Sequence, residues 1–277
     1  MKTTIFLDGK FLSLELASIS LIEPAFLYGW GLFETMRAYK NRIVYLKAHL
    51  KRIKDSAKYL DLKLPYSLNK TEELIFKTVK LNKLRDAYVR LTLFKNLKNR
   101  TSIFILAKRY QPYPKNKYLK GFKACLILDL KVNEGCFLTN LKTANYLLYR
   151  LAYWKAKKKG YDEALLLNNR GYLAEGSFTN IFFIKRRRLF TPHLKSGCLK
   201  GITRQVVIDL AKKNRIESIE GYFTLQDLFE ADEVFLTNSL IGVMPLSSLD
   251  GKPIAKPPFK LTNFFIKEYN SLLGYDK

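Results

Sequence analysis

DEALLLNNRGYLAEGSFTNIFFIKRRRLFTP, residues 162–192, sets two apolar runs around a polar turn and then does so a second time. Each run is too short for a helix, and the interruptions Asn-Asn-Arg-Gly and Lys-Arg-Arg-Arg are turn-like, so the stretch reads as two successive β-hairpins. Upstream, FLTNLKTANYLLYRLAYWKAKKKG (137–160) runs from a polar turn into a long amphipathic helix. Leu147, Leu151 and Trp154 are its expected anchors. Lys155, Lys157, Lys158 and Lys159 form a solvated end closed by Gly160, where positive charge suits the helix dipole. Before it, FKACLILDLKV (122–132) is a strand. Downstream, GITRQVVIDLAKKN (201–214) is a helix with Ile202, Val206, Val207 and Leu210 on its apolar side. ADEVFLTNSLIGVMPLSSLDGKPI (231–254) then gives a buried strand, a polar turn and a short hairpin.

The first half alternates differently. TIFLDGKFLSL (4–14) is a hairpin, and LFETMRAYKNRIVYL (32–46) is two more strands joined at Lys40–Asn41. LKAHLKRIKDSAKYL (46–60) places Leu46, Leu50, Ile53, Ala57 and Leu60 on one face of a surface helix. KTEELIFKTVKLNKL (70–84) is a second helix, and AYVRLTLFK (87–95) and TSIFILAKRY (101–110) are strands. QPYPKNKYLKG (111–121), with two prolines and no apolar period, marks a boundary between domains at 1–115 and 116–277. The sum is an α+β chain of two domains.

Composition bounds the chemistry. The 277 residues are 48% hydrophobic, enough for a sizeable core, and carry 49 Lys+Arg against 24 Asp+Glu, a net charge of +25. The cations are spread along the chain, so basicity alone does not name a nucleic-acid partner, and none is expected. No apolar run approaches the roughly 20 residues that span a bilayer. No membrane partner and a cytoplasmic location are expected. Cys125, Cys136 and Cys198 are scattered without a CxxC pair, so neither a disulfide framework nor a metal site is expected. GxxxxGK[ST], GxGxxG, HExxH and GxSxG are all missing from the sequence. His49 reads as a surface position of its helix and His193 as a strand end; structural roles are assigned to both.

Lysine chemistry remains. A lysine amine of lowered pKa can form a Schiff base, most commonly with pyridoxal phosphate, which also needs an acid at its ring nitrogen and donors for its phosphate. Lys142 precedes the long helix, whose positive end would favour a neutral amine. Glu175 ends a hairpin strand beside Gly176. The turns opening at Gly201–Thr203 and following the buried strand at TNSLIG could bind anions.

Six segments in order, FLYGWGLFETMRAY, LKAHLKRIKDSAKYL, LKTANYL, DEALLLNNRGYLAEGSFTNIFFI, LFTPHLKSGCLKGITRQVV and VFLTNSLIGVMPL, resemble the fold-type IV pyridoxal-phosphate enzymes over about residues 4–255. That family holds branched-chain aminotransferases, D-amino-acid aminotransferases and aminodeoxychorismate lyases. The resemblance implies a smaller N-terminal α/β domain, a larger C-terminal domain with a β-barrel-like core, pyridoxal 5'-phosphate as cofactor, and a homodimer. It makes Lys142 the Schiff-base lysine and Glu175 the acid at the ring nitrogen. Arg52, Ile202, Thr203, Asn238 and Ser239 become phosphate ligands, and Tyr146 approaches the phenolic oxygen. Tyr28, Arg90, Lys95 and Arg100 become candidates for the substrate and its carboxylates. Asn-Ser-Leu and the later Met-Pro favour the lyase, which would release pyruvate and 4-aminobenzoate from 4-amino-4-deoxychorismate in folate biosynthesis. A branched-chain or D-amino-acid aminotransferase is the alternative, the same lysine moving the proton in either case. Gly-Trp-Gly stands where the family often has Gly-Asp-Gly, and LIEPAF replaces its usual Asp-Arg or Asp-His stretch.

Overall fold

The computed structural model describes residues 2–40 and 42–274 and contains two compact units. One holds the chain up to Pro112 together with Leu141–Asn145; the other holds Tyr113–Asn140 and the chain from Tyr146 onward.

The first unit opens with β1 (Thr4–Leu7) and β2 (Lys10–Ser13), joined by Asp8 and Gly9 at φ 42° and 91°. Both values are positive, the requirement of a tight hairpin turn that an Asp-Gly pair meets at low cost. α1 (Pro24–Tyr28), β3 (Gly31–Tyr39) and β4 (Arg42–Ile43) follow; Asn41, expected at the strand junction, lies outside the described residues. After α2 (Leu46–Ala57) and α3 (Leu68–Leu81) come β5 (Asp86–Lys95) and β6 (Thr101–Arg109). Among the described residues the sheet order is β2-β1-β6-β5-β3-β4, antiparallel throughout. The helices bury Leu50, Ile53, Ile75 and Val79 in one core with Met36 and Val89 of the sheet. Ser67 starts α3 earlier than its apolar pattern implies, its hydroxyl accepting from Lys70 N at 3.2 Å.

Leu141–Asn145 is stitched to the first half of β3. Phe33 N donates to Lys142 O at 2.9 Å and Ala144 N to Gly31 O at 2.8 Å, around a Leu32–Thr143 bridge. The expectation that Lys142 sits at the front of the long helix is therefore corrected. That helix, α5, begins at Leu147, and Lys142 is held by strand pairing instead.

In the second unit the proline-bearing stretch forms a short helix, α4 (Lys115–Lys120), despite its lack of an apolar period. β7 (Phe122–Leu126), α5 (Leu147–Lys158), β8 (Glu163–Leu167), β9 (Leu173–Gly176), β10 (Asn180–Lys185) and β11 (Arg188–Pro192) follow. Then come α6 (Ile202–Lys213), β12 (Ser218–Gly221), α7 (Leu225–Phe229), β13 (Glu233–Asn238), β14 (Gly242–Leu249), β15 (Lys252–Pro253) and α8 (Lys260–Leu273). The sheet runs β12-β11-β10-β13-β14-β7-β8-β9, with β15 on β14. It curls so that β9 returns beside β10 and β11, around a core that includes Phe183, Leu236, Met244 and Leu165.

Two packing details depart from the apolar patterns. α5 buries Ala152 and Ala156, while Leu147, Leu151 and Trp154 are 70%, 38% and 51% exposed. Its small residues allow the backbone to lie close to β8, and the large ones are left outside. α8 has no counterpart among the elements expected from the sequence. Its first amides, at Leu261 and Thr262, donate to the Glu233 carboxylate of β13 at 2.9 and 2.8 Å, a cap supplied from 28 and 29 residues away.

Candidate active site

Within the first unit, β3 presents Phe33 and Glu34 to opposite faces of the sheet. On one face, Lys142 Nζ lies 4.6 Å and Arg90 Cζ 3.9 Å from the Phe33 ring centroid. Both cations thus share one aromatic ring, and Arg90 Nε is steadied by Thr92 Oγ1 at 3.1 Å. On the other face, Glu34 is buried against α2. Arg52 donates to it twice, Nε to Oε1 at 2.7 Å and a terminal nitrogen to Oε2 at 2.6 Å, and His49 Nδ1 lies 2.6 Å from Oε2.

His49 is 1% exposed, which corrects its expected place on the outer face of the helix. Burial pulls its imidazole below the ordinary value against the pull of Glu34, and the Arg52 and Lys142 charges add to the lowering. For Glu34, burial would raise the carboxyl, but Arg52 and His49 outweigh it and hold it at about 2. The carboxylate is charged at neutral pH and orients Arg52 by a two-point contact.

The remaining first-unit candidates are dispersed. Lys95 is buried and bonded to Asp61 Oδ2 at 3.0 Å and to its carbonyl at 3.2 Å. Arg100 is an exposed turn residue whose amide donates to Asn96 Oδ1 at 3.0 Å. Tyr28 ends α1 and is 68% exposed. The Gly-Trp-Gly segment has its own logic. Gly29 takes φ 64°, a Cβ there would lie 2.3 Å from Asn145 Oδ1, and the Trp30 indole donates to Leu60 O at 2.9 Å.

The second unit gathers Glu175, Tyr146, Asn238 and the start of α6. Glu175 is buried at the end of β9 and accepts from Leu199 N at 3.0 Å and Asn180 Nδ2 at 3.2 Å. Tyr149, not anticipated from the sequence, also hydrogen-bonds to it; burial first and the Glu175 charge second push this phenol well up. Tyr146 lies one turn before Tyr149, stacked on it at 4.6 Å, with its hydroxyl donating to Ser177 O at 3.1 Å. That i, i+3 spacing was the available signal for Tyr149. Asn238 braces two segments: Nδ2 donates to Phe178 O at 3.1 Å, while Oδ1 accepts from Leu240 N and Ile241 N, both at 2.9 Å. Ser239 follows it, half-buried in the turn.

α6 begins at Ile202 after Gly201, where a Cβ would lie 2.0 Å from Asn180 Oδ1. Thr203, one residue on, is 2% exposed, and its hydroxyl has no hydrogen-bond partner among the described residues. A buried hydroxyl without a partner, beside the amides at a helix start, suits a phosphate. A buried carboxylate already oriented by three donors suits a protonated ring nitrogen. The residues present therefore fit pyridoxal phosphate.

Residues 31–249 match the family described as amino-transferase class IV. The chain belongs to the class IV aminotransferases. Its cofactor is pyridoxal 5'-phosphate, and its fold is the two-domain fold-type IV; a solved branched-chain amino acid aminotransferase of the same fold carries pyridoxamine 5'-phosphate. Among relatives, a putative branched-chain-amino-acid aminotransferase of Methanocaldococcus jannaschii is 36% identical over 90% of this chain and 89% of its own. The aminodeoxychorismate lyase of Bacillus subtilis is 30% identical over 89% and 86%. Among solved structures, the branched-chain aminotransferase of Thermoproteus uzoniensis with norvaline superposes with a TM-score of 0.90, at 30% identity, over 98% of this chain and 94% of that one. No helix among the described residues is long and apolar enough to cross a membrane.

Proposed function

We propose that this class IV aminotransferase moves the amino group of branched-chain amino acids to 2-oxoglutarate. The reading is carried by the likeness to the M. jannaschii relative, greater than that to the lyase over nearly the same share of chain. The expectation of a lyase, drawn from Asn-Ser-Leu, gives way to the aminotransferase alternative. Asn238 is engaged with Phe178, Leu240 and Ile241, so its residue type also serves the fold of the turn.

When bound, the cofactor withdraws electrons from the substrate α-carbon through its protonated ring. Glu175 holds the ring-nitrogen proton. Lys142 Nζ would hold the cofactor through its amine and would serve as the base that takes and returns the substrate α-proton. Thr203 Oγ1, Ile202 N and Ser239 would receive the phosphate, with Asn238 fixing the turn that carries Ser239. Arg52, aimed by Glu34, would add positive charge toward the phosphate, and Tyr146 would face the cofactor's phenolic oxygen. Arg90, on the ring it shares with Lys142, is the favoured partner of the substrate carboxylate, and Tyr28 contributes to the pocket rim. Lys95 and Arg100 are assigned no role in it, the first being engaged by Asp61. The enzyme works as a homodimer, a reading supported by the exposed apolar side chains Leu16, Leu21, Ile22 and Phe26, and checked by light scattering.

The deciding experiment compares rates on one preparation. Loading with pyridoxal phosphate should give visible absorption that Lys142→Ala abolishes. Amino transfer from valine, leucine and isoleucine to 2-oxoglutarate should outpace both transfer from D-alanine and the release of 4-aminobenzoate and pyruvate from aminodeoxychorismate. The reverse ranking would overturn the proposal.

A further inference from the structure

Glu163, at the start of β8, is 3% exposed, and its hydrogen bonds come from neutral donors. Oε1 accepts from Ala164 N at 2.9 Å, from Ser177 N at 3.2 Å and from the Ser177 hydroxyl. Oε2 accepts from the Thr179 hydroxyl at 3.1 Å and more distantly from Phe178 N at 3.4 Å. Burial pushes its carboxyl up, and the donors pull against that. A buried carboxyl is costly unless its oxygens are hydrogen-bonded, and here every donor but Ala164 N comes from the turn at 176–179.

The turn it gathers, Gly176–Thr179, is where the second-unit site converges. Glu175 immediately precedes it. Tyr146 donates to the carbonyl of Ser177, and Asn238 to that of Phe178. Asn180, which immediately follows it, donates to Glu175. The turn is also closely packed: a Cβ on Gly176 would lie 2.1 Å from Thr179 Oγ1 and 3.3 Å from Glu163. Amides and hydroxyls drawn onto one carboxylate therefore set where three site residues point.

We propose that Glu163 is a positioning residue for the transamination chemistry, fixing the 176–179 turn and through it Glu175, Tyr146 and Asn238. The proposal rests on the assignment of Glu175 to the cofactor ring nitrogen. Glutamine in its place would keep the shape but turn an NH2 group toward donors, loosening the turn without opening a cavity.

The test uses Glu163→Gln, Glu175→Gln and the double variant, each read by melting temperature, kcat and KM, and the affinity of the apo chain for pyridoxal phosphate by intrinsic fluorescence. For Glu163→Gln the expected result is a melting temperature within a few degrees of the parent and a kcat about tenfold lower, in the range of supporting residues around a reactive centre. KM should change less than about twofold and cofactor affinity should fall several-fold. The double variant should be no slower than Glu175→Gln alone, because Glu163 acts through the same group. Parental kcat and affinity in Glu163→Gln, or a double variant that multiplies the two losses, overturn the proposal. If Glu163→Gln does not fold, Thr179→Val removes a single donor; a kcat reduced about threefold supports positioning and a parental kcat overturns it. If Glu175→Gln keeps the parental kcat, the assignment of Glu175 fails, and the cofactor affinity of Glu163→Gln decides the proposal through Tyr146 and Asn238.

Discussion

Glu34 carries two roles in one carboxylate: it satisfies His49, and it aims Arg52. A buried ion pair adds little net stability over an apolar pair, but breaking one strands the survivor. Glu34→Gln removes the charge and leaves Arg52, only 14% exposed, beside a neutral amide. The expected loss is about 3 kcal/mol, the lower end for a broken buried pair because Arg52 keeps some access to water. It should appear as a lower urea midpoint at unchanged slope. A loss below about 0.5 kcal/mol would mean that the pair behaves like a surface contact. Nothing local in the sequence announced this arrangement. The pattern of LKAHLKRIKDSAKYL gives the apolar face correctly through Leu46, Leu50, Ile53 and Ala57, all buried. It misplaces His49 because a polar residue is read as outward unless its partner is known, and Glu34 lies on a strand 15 residues earlier.

Among elements, those whose signal is local were legible. The Asp8–Gly9 turn, the hairpins of 162–192 and the strands β5 and β6 stand where their residues place them, because turn chemistry and alternation act over a few positions. α8 carries a local helical pattern, with Phe265 and Tyr269 on one buried face, but its start is set at a distance, by the Glu233 cap. The setting of Lys142 escaped because its hold is distant too: backbone pairing to a strand more than 100 residues earlier, at Gly31 and Phe33. The resemblance is what singles out Lys142, and the helix-dipole rationale for it does not survive the geometry. Strand pairing carries its own consequence. Ala144→Pro deletes the N–H that donates to Gly31 O. Melting temperature should drop by only a few degrees, as for loss of a single hydrogen bond, whereas the rate of cofactor loss should rise several-fold as Lys142 loosens. Cofactor retention equal to the parent would show that the bridge does not hold the lysine.

For the molecule as a whole, charge sets the response to acid. Folding lowers Glu34 from 4.5 to about 2 and lowers His49 from 6.5, so in both cases the unfolded chain binds protons more readily than the folded one. Stability linked to such groups is present above their unfolded values and lost as pH falls toward the folded ones. His49 therefore begins to cost stability below pH 6.5, and Glu34 adds its loss between 4.5 and about 2. Glu163 has the opposite sign, since its raised carboxyl favours the folded state in acid, and it offsets part of that loss. The net charge of +25 works with the first pair, because protonating carboxylates leaves the cations to repel one another. The urea midpoint should fall steadily from pH 7 to pH 5 and more steeply toward pH 3. Adding salt to about 0.5 M, where screening acts within roughly 4 to 5 Å, should recover the part due to surface repulsion. It should leave the loss at Glu34 and His49, because that site is buried. A midpoint unchanged between pH 7 and pH 3, or one fully restored by salt, would show that the buried cluster does not govern acid stability.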